Sequence, residues 1–163
     1  MQPTKDSFYI ALRDRLVTVD PNRTITIDGV TRPAIAVIEN EPPTGAPLLC
    51  DAFYLRWGNA RPVPASNGAL LAMDCTISYV TKGSTQNAGL DRGRDLASLD
   101  NDLLAICSPP QTAKYDYSSG SPLALGSTIF WTLPVLNAAK ATSPNVGREV
   151  TVTVFFYPEV NQT

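Results

Sequence analysis

Leu96, Leu99, Leu103 and Ile106 recur at spacings of three and four, so they form one stripe of an α-helix predicted over residues 91–107. Such a stripe has to be covered, because each side chain is worth roughly 1.5–3 kcal/mol when taken out of water. Arg92, Asp95, Asp100 and Asp102 fill the rest of the circumference and read as a solvated face that keeps the back of the helix soluble. Pro109-Pro110 stops the helix. In the preceding run, residues 69–82, Met73, Cys75, Ile77 and Tyr79 alternate with Asp74, Thr76 and Ser78, the pattern of a long strand with one buried face. The stripe and the strand together call for a helix packed on a sheet.

The other segments fit that layer. Phe8, Leu12 and Leu16 repeat at intervals of four with Ala11 and Arg15 beside them, predicting a short amphipathic helix over residues 6–17, capped by Asp6 or Ser7. Asp20-Pro21-Asn22 ends it. Residues 24–28 and 30–38 alternate around Asp28-Gly29, a two-residue turn signal, and read as a hairpin whose second strand lies at an edge at Pro33 or begins just after it. The run ENEPPTGAPLL reads as an extended arm or loop. Phe53, Leu55 and Trp57 mark a central or near-central strand over residues 51–58, antiparallel to the strand at 69–82, with irregular chain from Asn59 to Gly68 between them. Strands are also predicted at 112–117, 127–133 and 148–158. The linkers SSGSPLALG and NAAKATSPNVG read as long loops. The expected fold is α+β: a mostly antiparallel β-sheet packed by two amphipathic helices, with long Pro/Gly-rich loops, in one domain over residues 1–163.

Composition narrows the function more by exclusion than by indication. The chain is 44% hydrophobic and 17% charged. That is too apolar for disorder and less charged than the roughly 25% usual in globular domains, so part of the surface is expected to lie under a partner. Thirteen bases against 15 acids leave no electrostatic footprint for bare nucleic acid. Charges at Lys5, Asp6, Arg13, Asp14 and Arg15 interrupt any signal-peptide core, and no stretch approaches the ~18 apolar residues of a membrane span. Cys50, Cys75 and Cys107 are too widely spaced for a zinc site and odd in number. All three have apolar neighbours and read as buried free thiols in a reducing compartment.

Histidine is wholly absent, which removes the commonest general base, the usual triads and most zinc sites. No phosphate-cradling glycine motif occurs. Asp95, Asp100 and Asp102 invite a metal reading, but carboxylates opposite a leucine stripe are ordinarily just solvated. The aromatics Trp57, Phe130, Trp131, Phe155, Phe156 and Tyr157 have no basic groove beside them and read as core or subunit packing rather than a stacking platform. The loop STQNAG carries only what any strand-to-helix bend would use. No catalytic residue, cofactor or metal is expected.

The order of elements, with ISYVTKG, the helix DRGRDLASLDNDLLAI, then KYDY, STIFWTLPV and REVTVTVFFYPE, resembles the tail-terminator and tail-completion proteins of tailed bacteriophages and prophages. The likeness spans most of the chain. The Pro-rich run Glu41 to Leu49 has no clear counterpart. The resemblance implies a non-enzymatic virion subunit, assembled in the host cytoplasm. It would form a hexameric ring on the head-proximal end of the tail tube, end tube growth and present the surface that joins the head. Its implied partners are further copies of itself, the tail tube protein and a head-completion or neck protein, with no membrane and no sequence-specific nucleic acid, although DNA passes through the lumen of such rings. On that reading Arg92, Arg94 and Lys82 are the first candidates for contacts with a neighbour, the lumen or the tube, with Arg56 and Arg61 next. Another neck or minor tail protein, or a monomeric small-ligand binding module, are the competing readings.

Overall fold

Helix α1 (Gln2–Val19) starts four residues earlier than its apolar spacing suggests. Pro3 lies in the first turn, where its missing N–H has no intrahelical partner to lose and its fixed φ already suits the helix. Neither Asp6 nor Ser7 caps the helix; both lie inside its 18 residues. Phe8, Leu12 and Leu16 are fully buried, as the spacing requires. Here and below, the protein is described from a computed structural model that covers residues 1–38, 48–66, 69–83, 87–142 and 144–159.

Asp28 and Gly29 both take positive φ, 51° and 77°, and join β1 (Thr24–Ile27) to β2 (Val30–Pro33) in a two-residue hairpin. The predicted second strand is in fact two. The ribbon stops at Pro33, and β3 (Ile35–Val37) leaves it to pair in parallel with β4 (Phe53–Pro62). A parallel neighbour needs a long crossover, which residues 38–52 provide. Most of the predicted Pro-rich arm, residues 39–47, lies outside the described residues. Strand β4 runs on to Pro62 through a register shift between Trp57 and Ala60, where irregular chain was expected. It pairs antiparallel with β5 (Leu71–Thr81), as predicted.

Helix α2 (Leu90–Ile106) buries Leu96, Leu99, Leu103 and Ile106, the stripe that the sequence demands. After it come β6 (Gln111–Asp116), β7 (Leu123–Trp131), β8 (Val135–Leu136), β9 (Lys140–Thr142) and β10 (Asn145–Phe156). Strand β7 takes up the end of the predicted loop SSGSPLALG. The other predicted loop, NAAKATSPNVG, contains β9 and the start of β10. Short, exposed segments of this kind have no alternating pattern to betray them; they become strands because β10 offers a free side to pair with.

Among the described residues the main sheet runs β3-β4-β5-β10-β7-β6, with β8 and β9 beside β10. Only the β3–β4 pair is parallel, so the fold is α+β with a mostly antiparallel sheet. Both helices cover one face. Phe8 of α1 meets Trp57 and Trp131 edge-on, with ring centroids 5.4 and 5.1 Å away. Such pairs add about 0.5–1.5 kcal/mol to the burial of the rings. A smaller cluster of Ile25, Ala34, Ala36, Ala52 and Tyr54 sits where β1, β3 and β4 meet.

Helix α1 also closes the outer edge of the sheet. The Ser7 hydroxyl accepts the Tyr115 N–H at 2.9 Å and donates to the Tyr115 carbonyl at 3.3 Å, occupying both backbone groups of an edge residue. Arg15 donates to the carbonyls of Ile106, Pro109 and Gln111 at 2.8–3.0 Å. At these positions the edge no longer offers its backbone groups to another strand.

The charged side of α2 is only partly the solvated face expected from the sequence: Asp95 is exposed, but Asp100 and Asp102 are engaged. Asp102 receives Arg23 at 2.6 Å, and Asp100 accepts the Tyr79 hydroxyl and forms an ion pair with Arg148, 3.0 Å away. These carboxylates tie the helix to the segment after α1, to β5 and to β10.

Candidate interaction surface

The five basic residues singled out from the sequence fall into two separate groups. The first surrounds the turn into α2. Strand β5 ends at Thr81, and Gly83 takes φ +51° with its Cα so close to α2 that a Cβ would lie 2.6 Å from Arg92 Cγ. Lys82 is exposed, while Arg92 is half-buried against that glycine. Its Nε is out of solvent with no hydrogen-bond partner among the described residues. Asn87 and Asp91 bond to each other across the first turn of α2, and Arg94 reaches Asp91 at 3.0 Å with its side chain 72% exposed. Residues 84–86 of the STQNAG loop lie outside the described residues.

Beside this corner is a cleft of about 370 Å³ lined by Arg23, Asp51, Thr81, Gly83, Asp95 and Ser98. Its lining is polar. Arg23 is already engaged by Asp102 and by Asp20, at 2.6 and 3.3 Å. No group of three or more potential metal-binding side chains occurs among the described residues. Asp95 is exposed, whereas Asp100 and Asp102 are tied to arginines, so the three carboxylates do not act together.

The second group lies on the face of the sheet that the helices leave uncovered. Arg56 is exposed on β4, opposite Thr76. Arg61 makes a two-pronged bond to Asp74 at 2.8 and 3.0 Å, and Thr153 donates to the same carboxylate at 2.7 Å. These hydrogen bonds, Arg61's first and then Thr153's, hold the Asp74 carboxyl below the usual carboxylate range against a smaller effect of burial.

Toward β7 the same face turns apolar. Phe130 and Phe155 are cross-strand partners with rings stacked 5.2 Å apart at 15°. Val135, opposite Thr151, is 62% exposed. Leu133, Tyr157 and Leu136 are exposed close by in the chain. The aromatic set weighed as packing therefore divides. Trp57, Trp131 and Phe156 are core, whereas Phe130, Phe155 and Tyr157 are not. Alternation in β10 was the available signal, since Phe155 and Tyr157 fall out of step with Val150, Val152 and Val154.

Cys75 and Cys107 are buried, and burial pushes the Cys107 thiol up to about 12, with nearby Arg15 opposing. Cys50 is only half-buried, contrary to expectation. No helix among the described residues is long and apolar enough to cross a membrane.

No protein-family model matches this chain, and neither does any curated protein.

Proposed function

We propose that this chain is a structural assembly subunit that works by docking, and that it is a tail terminator: a ring-forming protein that caps the head-proximal end of a phage tail tube and joins it to the head. The observation that carries the reading is the uncovered face of the sheet, where Phe130 and Phe155 stack and Val135 stands in water. Apolar side chains clustered on one side of a sheet are the usual mark of a surface that another protein covers. Arg56 and Arg61 on the same face, and Lys82 and Arg94 at the α2 corner, would set orientation around it. The absence of histidine from the sequence favours docking over catalysis.

In this reading the partners are further copies of the chain in a hexameric ring, the tail tube protein and a neck protein, and the working location is the virion. The test mixes the purified chain with a phage tail tube protein during tube polymerisation. Light scattering follows its oligomeric state, and electron microscopy measures tube length. Tubes shortened and capped by rings are expected, with Phe130→Ser plus Val135→Glu abolishing capping while the circular dichroism spectrum is unchanged. A chain that stays monomeric, binds no tube and leaves tube length unaltered overturns the reading.

A further inference from the structure

Lys114 is the most deeply buried charged side chain among the described residues, 1% exposed on the edge strand β6. It stands at the register shift between Ala113 and Tyr115, where the strand departs from regular pairing and turns this side chain inward. Its ammonium donates to the Tyr157 carbonyl at 2.7 Å, ion-pairs with the Glu159 carboxylate and lies 5.6 Å from the centre of the Phe156 ring. All three partners belong to the end of β10 or to the segment just after it. Tyr157 and Pro158 are themselves exposed and the Glu159 side chain is 26% exposed, so the strap contributes to covering Lys114 while burying little of itself; the N-terminal ammonium of Met1 lies near both charges.

That asymmetry decides what the contact does. Withdrawing an ammonium and most of a carboxylate from water costs nearly as much as their mutual attraction returns, so a pair closed by a short, exposed segment is poised near balance. Removing one partner alone is unfavourable, because the other charge is left without compensation. Lifting the whole strap returns the Glu159 carboxylate fully to water and opens a way for solvent to the Lys114 ammonium. An ammonium with two donors aimed at oxygen atoms and an aromatic ring beside it is, when uncovered, a receptor for a carboxylate.

We propose that Lys114 is a carboxylate-binding site that the chain's own Glu159 occupies through a releasable strap, residues 157–159, and that lifting the strap opens the site to a carboxylate of another chain. This goes beyond the assembly reading and stands without it.

The test uses the full chain and the side-chain ammonium resonance of Lys114 in nitrogen-15 spectra, together with hydrogen exchange of the backbone amides. The wild type is expected to show a slowly exchanging Lys114 ammonium. Glu159→Gln is expected to raise strap opening roughly 10- to 100-fold, the weight of one charge-assisted hydrogen bond. Amides from Val150 to Val154 should keep their protection in that variant, and sodium acetate, but not sodium chloride, should restore the slow ammonium signal. Lys114→Met should free the strap to the same degree. An unchanged ammonium signal in Glu159→Gln, or loss of protection along β10 in either variant, would make the contact a structural staple and overturn the proposal. Equal responses to acetate and chloride would equally overturn it, since the site would then recognise charge alone.

Discussion

Tyr79, fully buried on the core face of β5, donates its hydroxyl to the carboxylate of Asp100 on α2, and Arg148 of β10 reaches the same carboxylate at 3.0 Å. One carboxylate thus joins a helix to two neighbouring strands. Burial pushes the Tyr79 phenol far above its ordinary range; the hydrogen bond to Asp100 and its charge push the same way, and only Arg148 opposes them. The folded state therefore holds the phenolic proton more tightly than the unfolded chain. The resulting stability is complete below the unfolded value of about 10 and is lost as pH rises beyond it. Tyr79→Phe should cost about 1–3 kcal/mol at neutral pH by urea denaturation, because Asp100 loses a buried donor. The gap to the wild type should narrow above pH ~10. A constant gap across alkaline pH would show that the proton is not linked to folding.

Asp74 titrates in the opposite sense. Its carboxyl is lowered chiefly by the Arg61 hydrogen bond, so its contribution to stability is present above the unfolded value near ~3.9 and is lost as pH falls through the lower folded value. Arg61→Ala should move the Asp74 midpoint upward in a carbon-13 carboxyl titration. Thr153→Val should move it less, in keeping with the order of the two bonds.

Two glycines should respond to alanine with opposite signs. At Gly147 a Cβ would lie 2.7 Å from the Tyr79 carbonyl oxygen and from Val80 Cγ1, on the strand that pairs with β10. A paired backbone cannot give way cheaply, so Gly147→Ala should destabilise by about 1–3 kcal/mol. Gly93, inside α2, meets nothing within 4 Å, and Gly93→Ala should stabilise by roughly 0.5–1 kcal/mol through reduced backbone entropy in the unfolded chain. Thermal melts of the two variants test both signs.

The two sides of α2 should separate by substitution. Leu99 is fully buried, so Leu99→Ala should cost about 2–5 kcal/mol, and Leu99→Asp should unfold the protein, as circular dichroism would record. Among the described residues Arg94 makes only an exposed pair with Asp91, so Arg94→Ala should leave the melting temperature unchanged and, on the docking reading, weaken assembly measured by light scattering. A large loss of stability from Arg94→Ala would contradict this division of the helix.

Much of the site was legible only as residue type. Arg56 and Arg61 could be seen as bases near an aromatic strand, but not that they share a face with Phe130 and Phe155, because that depends on β4, β5, β10 and β7 lying side by side. Arg92, Arg94 and Lys82 could be read as a basic start to α2. The contact of Arg92 with Gly83 was not visible, since it follows from how closely β5 turns back onto the helix.

The sequence alone determined which residues face inward: the stripes of α1 and α2 and the alternation of β4, β5 and β10 report burial directly, because helical and strand periods differ and each apolar face must leave water. Tertiary structure decided which elements become neighbours. The parallel seat of β3, the recruitment of β8 and β9 to β10, and the pairing of Asp102 with Arg23 across 79 residues of chain all depend on it. Periodicity records only that a side chain is covered. A carboxylate's partner is fixed by the distance and direction of a charge on another element, and those exist only once the layers have packed.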